Sequence, residues 1–237
     1  MSGVIGMLDP DGVDASELRS AAAAISYRGT PTIRSFGALL LGVLTQDGEE
    51  PSVVETPVSV LVADARVDAR LPGSDVPSFE ATSTGIELLA STLDEEGPDG
   101  LDRLAADFAL ARWDRRRDRL LLARDAFGLR PLFWAKRGRR IGFASEPVVL
   151  VELGLASGDL ERHVVAQRLA GADPAGERTF FAGIRRVLGG RWLTVDRDGL
   201  MHTGRWFRPE TIQVEETSLE DAASGVQEAI VDAVASR

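Results

Sequence analysis

At 237 residues, 44% hydrophobic and 27% charged, the chain has the composition of a folded domain with a sizeable core. A formal net charge of −10 disfavours nucleic acid and anionic membrane as partners, and the lack of cysteine excludes disulfides, thiolate chemistry and cysteine-based zinc sites. His163 and His202 are the only histidines, so no metal centre is expected, and with no signal peptide and no apolar run of about 18 residues the chain reads as cytoplasmic.

Residues 2–8, "SGVIGML", end at the turn signal "DPDG" and read as a strand. In "DASELRSAAAAI" Asp14 and Glu17 stand at capping-box spacing, and Leu18, Ala21, Ala22 and Ile25 share one helical face. "FGALLLGVL" and "VSVLVADARV" read as buried strands, and residues 71–82 as a loop. "GIELLASTLDEEG" predicts a helix and "GLDRLAADF" begins as a second short one. Four strands follow, "FALARWD", "RLLLARD", "PLFWAK" and "RIGFASE", joined by links short enough for antiparallel hairpins. The basic clusters Arg115–Arg117 and Lys136–Arg140 fall between strands of this run and read as solvated hairpin tips.

A helix is expected from about Asp159, with Val164, Val165 and Leu169 as its apolar residues, and then the strands "RWLTVDRDG" and "MHTGRWF", with His202 on the strand surface. Residues 208–237 differ in character. "RPETIQVEET" is a polar connector; behind it Ser218 and Asp221 form a capping box ahead of a helix whose face carries Leu219, Ala222, Val226, Ile230 and Ala233. That face has nothing after it in the sequence to pack on, so 208–237 is expected to be a connector and the first helix of a further domain. The other reading is a helix folded back on residues 1–207.

Several stretches together resemble the N-terminal glutaminase domain of asparagine synthetases, the class II glutamine amidotransferases. "RDAFGLRPLFW" carries Arg124, Asp125, Gly128 and Pro131 in that family's signature order. "GFASEPVVLVELG" and "RTFFAGIRRVLGGRWLTV" continue it, and "YRGTP" at 27–31 sits at the family's histidine-arginine-glycine-proline turn. The resemblance spans residues 2–207. Read for their own chemistry, Arg124 and Asp125 supply a charged pair at a strand end and Gly128 suits a tight turn; all are expected to be structural.

The resemblance implies an α+β fold, the four-layer αββα Ntn-hydrolase sandwich of two antiparallel sheets between helices. It also implies a cysteine behind the initiator methionine, with its own α-amino group as base and the released ammonia passing to a synthetase domain. Ser2 stands at that position. Neither the asparagine-glycine pair nor the substrate-binding arginine is present in "VADARVD" and "GALLLGVLTQDG", and "ATSTGIELL" has Thr84 near the place of a glutamine-binding aspartate. Asp64, Arg66 and Asp68 read as a surface turn, the other reading being a repurposed pocket. The four departures together imply a glutaminase-like domain that has lost its activity, as in the β-lactam synthetase and lasso-peptide cyclase branch, where the amine belongs to the substrate. The alternatives are a working asparagine synthetase glutaminase domain, a stand-alone Ntn amidohydrolase using Ser2, and a binding module without a ligase. The resemblance implies a C-terminal synthetase domain as partner, in cis or as a separate chain, and leaves a homodimer open. ATP and magnesium belong to that domain, and its phosphate loop does not occur in residues 1–237.

Overall fold

The computed structural model describes residues 2–46, 48, 52–70, 85–174, 176–212, 214 and 216–235. The loop expected over 71–82, and Thr84, lie outside them. In chain order the first elements are β1 (Gly3–Leu8), α1 (Ala15–Ala22), β2 (Thr30–Phe36), β3 (Leu39–Thr45), β4 (Val53–Glu55) and β5 (Ser59–Arg70). Next come α2 (Gly85–Glu95), β6 (Leu104–Asp114), β7 (Arg119–Arg124), β8 (Phe133–Arg137), β9 (Arg140–Ala144) and α3 (Pro147–Glu152). The last are α4 (Arg162–Leu169), β10 (Ile184–Arg186), β11 (Arg191–Asp196), β12 (Met201–Arg205) and α5 (Leu219–Ala235). Short 3-10 turns extend α1 over Ala23–Arg28 and follow α2 over Gly97–Arg103.

Two six-stranded antiparallel sheets result, in the orders β10-β8-β9-β1-β3-β2 and β12-β11-β7-β6-β5-β4. Strand alternation sorts their side chains into three apolar layers. Val4, Leu8, Leu41, Val60, Val62, Ala111, Leu122 and Phe143 fill the space between the sheets. Ile5, Met7, Leu40 and Leu44, on the opposite face of the first sheet, pack under Leu18, Ala21, Ala22 and Ile25 of the first helix and Val149 and Leu150 of α3. Leu61, Ala63, Phe108 and Leu110 do the same for the second sheet beneath Leu88, Leu89 and Leu93 of α2. The αββα sandwich expected from the sequence is therefore the fold of the chain.

Gly6 shows how close the two central strands approach. A Cβ there would lie 2.2 Å from the ring of Phe143 and 2.6 Å from the Leu40 carbonyl oxygen, so only glycine lets Phe143 cross β1. Asp14 caps α1 by accepting from the Ser16 amide at 2.8 Å, but the capping box does not close, because Glu17 turns to Arg140 instead. Ahead of α5, Ser218 Oγ accepts from the Asp221 amide at 3.1 Å and donates to Asp221 Oδ2 at 2.7 Å, which makes the first half of a capping box. Both basic clusters sit at hairpin turns, between β6 and β7 and between β8 and β9. In α4 the expected apolar stripe holds only at Val164, which is buried. Leu169 is exposed, because the helix ends there and the chain turns away. No described residue of α5 is buried.

Candidate functional site

The even-numbered residues of β1 and the even-numbered residues of β5 face each other across the sandwich, as Val4 and Val60 show. Continuing both alternations to the end of the sheets brings Ser2 opposite Asp64. There the Ser2 hydroxyl donates to Asp64 Oδ1 at 2.7 Å, between residues 62 apart in the chain. Asp64 is only 1% exposed, so the expectation of a surface turn is corrected: β5 runs on through Arg70, and the carboxylate lies inside the mouth of the inter-sheet core. Arg66 and Asp68, two and four residues further along the same face, pair with one another at 2.7 Å.

A guanidinium lies beside the buried carboxylate. Arg130 Nη1 lies 3.2 Å from the same Asp64 Oδ1 that accepts from Ser2. Asp64 Oδ2 is buried and has no hydrogen-bond partner among the described residues. The loop that presents Arg130 is built by the signature stretch. Asp125, itself 1% exposed, accepts from the amides of Phe127 at 3.1 Å, Leu129 at 2.9 Å and Arg130 at 3.0 Å. Arg124 donates to the carbonyls of Gly128, Arg130 and, at 2.9 Å, Val187. Gly128 adopts φ 69°, the left-handed region, and a Cβ there would stand 3.0 Å from the Arg124 guanidinium.

Arg124 and Asp125 do not make the charged pair expected of them. Both side chains turn to the backbone of the loop, one taking its carbonyls and the other its amides. Burial lowers the Arg124 pKa, with the Asp125 charge acting against that shift and Arg186 adding to it; an arginine at that depth stays protonated.

The other side of Ser2 is fixed as firmly. Arg28, in the "YRGTP" turn, donates from Nη1 to the Ser2 carbonyl at 2.8 Å and from Nε to Glu146 at 3.0 Å. Burial opposes charge on Arg28, but the hydrogen bond and attraction of Glu146 outweigh it and raise the pKa above the ordinary arginine value. Ser145, fully buried, accepts from the Val4 amide at 2.9 Å, while its own amide donates to the Val4 carbonyl at 2.8 Å. Arg28, Arg130, Ser145 and Glu146 were not singled out from the sequence as site residues. Arg130 had a signal, the basic residue ahead of Pro131 in the signature. Ser145 and Glu146 lie in "GFASEP", a stretch that in the sequence showed only its strand-to-helix character.

His202 is exposed on β12 and His163 on α4, far apart in their elements. Among the described residues no group of three or more His, Asp or Glu side chains is placed to hold a metal ion.

A protein-family model described as a glutamine amidotransferase domain matches residues 71–207, more than half of the chain. The chain belongs to that family. As an amidotransferase-family domain it is similar to asparagine synthetase [glutamine-hydrolyzing] 3 of Bacillus subtilis (strain 168), 32% identical over 178 residues, covering 72% of this chain and 27% of that protein. Asparagine synthetase [glutamine-hydrolyzing] 2 of the same organism is 26% identical over 158 residues, covering 62% of this chain and 21% of that one. The chain thus spans about a quarter of the length of the curated relatives it matches. In three dimensions it resembles the glutamine phosphoribosylpyrophosphate amidotransferase from B. subtilis solved with ADP and GMP. The TM-score is 0.59 at 15% identity, over 86% of this chain and 49% of that one. That likeness bears on the fold, which is the class II amidotransferase sandwich. Among the described residues no helix is long and apolar enough to cross a membrane.

Proposed function

We propose that this domain has given up glutamine hydrolysis and serves an asparagine-synthetase-like, ATP-dependent amide-forming ligase whose amine comes from the substrate rather than from released ammonia. The observation that carries this reading is the Ser2–Asp64–Arg130 arrangement. Amide hydrolysis places negative charge on the carbonyl oxygen in the transition state, and donors must await it. Beside the Ser2 hydroxyl there is instead a buried carboxylate, which repels that charge. Nor does Asp64 activate the serine. A carboxylate is a weak base for a hydroxyl, and its bonded oxygen already faces the Arg130 guanidinium. The hydroxyl is best described as a hydrogen-bond donor spent on holding Asp64.

The same reading makes residues 208–237 the connector and first helix of a synthetase domain that would supply ATP chemistry. The exposed Val226, Ile230 and Val234 of α5 support it, as does the greater length of the relatives. A second reading, a stand-alone amidohydrolase, has one observation in its favour: a serine hydroxyl bonded to a carboxylate is also how a nucleophile looks. Ammonia release from glutamine by the purified chain, beside Ser2→Ala, separates the two. We expect no release above background in either protein; turnover that Ser2→Ala abolishes would overturn the proposal.

A further inference from the structure

The outer face of the second sheet, beside the C-terminal end of α2, holds a cavity of about 780 Å3. Its floor is set by cross-strand register. Arg112, Leu121, Thr194 and His202 are direct partners across β6, β7, β11 and β12, and Asp114, Arg119 and Asp196 form the next row. Three side-chain atoms of this floor are closed to bulk solvent and lack a partner among the described residues: Arg119 Nε, Trp192 Nε1 and Thr194 Oγ1. Thr194 as a whole is 8% exposed.

The acids that flank Arg119 explain why it is left over. Asp114 Oδ1 accepts from the amides of Arg116 and Arg117, and Asp196 Oδ1 from those of Asp198 and Leu200, so both are committed to their own hairpin turns. Asp94, on the same cavity wall, is taken by Ser59, Thr56 and Arg112. The Trp192 ring lies across Gly204, where a Cβ would be 2.2 Å from it.

The chemistry of the unpartnered atoms selects a ligand. Guanidinium and indole N–H groups donate only, and a threonine hydroxyl can donate with them, so the floor asks for acceptor oxygens. The lining as a whole is not basic, since it has four carboxylates, Asp94, Glu95, Glu96 and Asp114, against three arginines. A multiply charged anion is therefore disfavoured, while a ligand with a carboxylate inside and an ammonium at the rim matches both signs. Exposed Glu95 stands at that rim. Leu93 and Pro98 add an apolar wall. We propose that this cavity binds a small zwitterion of the α-amino acid class, its carboxylate taken by Arg119, Trp192 and Thr194 as their side chains turn to meet it.

The test follows the Trp192 indole N–H resonance, assigned with Trp192→Phe, while L-leucine, L-glutamine, acetate, ethylammonium and inorganic phosphate are titrated into the full chain. An amino acid should move that resonance saturably, with acetate at least about tenfold weaker and phosphate weaker still. Arg119→Gln and Thr194→Val should each reduce the affinity about tenfold while leaving the other indole signals in place. The proposal is overturned if neither amino acid moves the signal at about 20 mM, or if acetate or phosphate does so equally well. It is also overturned if both variants, shown folded by their unchanged remaining spectrum, bind as the parent does.

Discussion

Two polar regions of this domain were assembled by the same rule, strand alternation carried across paired strands, yet they end in opposite states. At the mouth of the inter-sheet core, Ser2, Asp64, Arg130, Arg28 and Glu146 engage one another, and of their buried side-chain atoms Asp64 Oδ2 alone lacks a partner among the described residues. On the outer face of the second sheet, Arg119, Trp192 and Thr194 each keep a buried polar atom without a partner among the described residues. The contrast is physical. A network whose members satisfy one another gains rigidity from each bond and loses from any deletion, whereas orphaned groups destabilise the empty site and can be removed at a gain. The first region has the energetics of a structural clasp; the second has those of a binding site.

The largest effect should come from the support of the clasp. Asp125→Ala removes the acceptor of three loop amides and is expected to cost about 2–4 kcal/mol in urea unfolding. A loss under about 0.5 kcal/mol would mean that the loop holds its shape without Asp125. Next, Arg130→Ala strands the Asp64 carboxylate and should destabilise by about 1–3 kcal/mol, less than a fully buried pair because Arg130 is partly exposed. Adding Asp64→Asn to that variant should return more than half of the loss, and a double-mutant cycle without coupling would dissolve the clasp as a unit.

In the second region the sign reverses. Thr194→Val keeps the shape, removes an unpaired hydroxyl, and should stabilise the chain by about 0.5–1.5 kcal/mol, read as a higher urea midpoint at unchanged m-value. A destabilisation there would show that the hydroxyl has a partner after all, and the comparison would fail.

The smallest effect concerns pH. Burial raises the Asp94 pKa, but hydrogen bonds from Ser59, Thr56 and Arg112 outweigh it, and the net shift is downward from 3.8. The folded state therefore binds the proton less readily than the unfolded one, and the contribution to stability is complete above 3.8. It is lost as pH falls through the lower folded value. Stability curves of the parent and Asp94→Asn should run parallel from neutral pH to about 5 and converge below about 4. Curves that stay parallel throughout would remove Asp94 as a titrating contributor.

How much of this was readable in the sequence follows from how local each signal is. The face of Leu18, Ala21, Ala22 and Ile25 is a pattern within one helix, and the structure buries all four. The hairpins of β6 to β9 announce themselves through adjacent runs and polar tips. β2 gave no such signal: "TPTIRSF" is an edge strand, half exposed on both faces and containing Pro31, so neither alternation nor apolar content marks it. The three-residue strands β4 and β10 are too short to show a period. The signature stretch pointed to the right loop, but its product, an arginine delivered to a carboxylate on β5, is a long-range contact. Periodicity cannot reveal that Asp64 is buried, because the residues that bury it lie up to 66 positions away, at Arg130.

The place of β1 in the first sheet bears on how the chain is made. Of the described strands the earliest made is one of the central ones, with β3 on one edge and β9 on the other. Its partner β3 follows within Leu39–Thr45, but the other edge waits for Arg140–Ala144. At translation rates of about 5–20 residues per second, that edge of backbone donors and acceptors stays open for roughly 5–20 s. Until then the nascent chain presents an apolar strand with one side unpaired, the condition under which neighbouring chains join edge to edge. The yield of soluble protein should therefore depend on synthesis rate and on chaperones that cover exposed strands, more than on the stability of the finished fold.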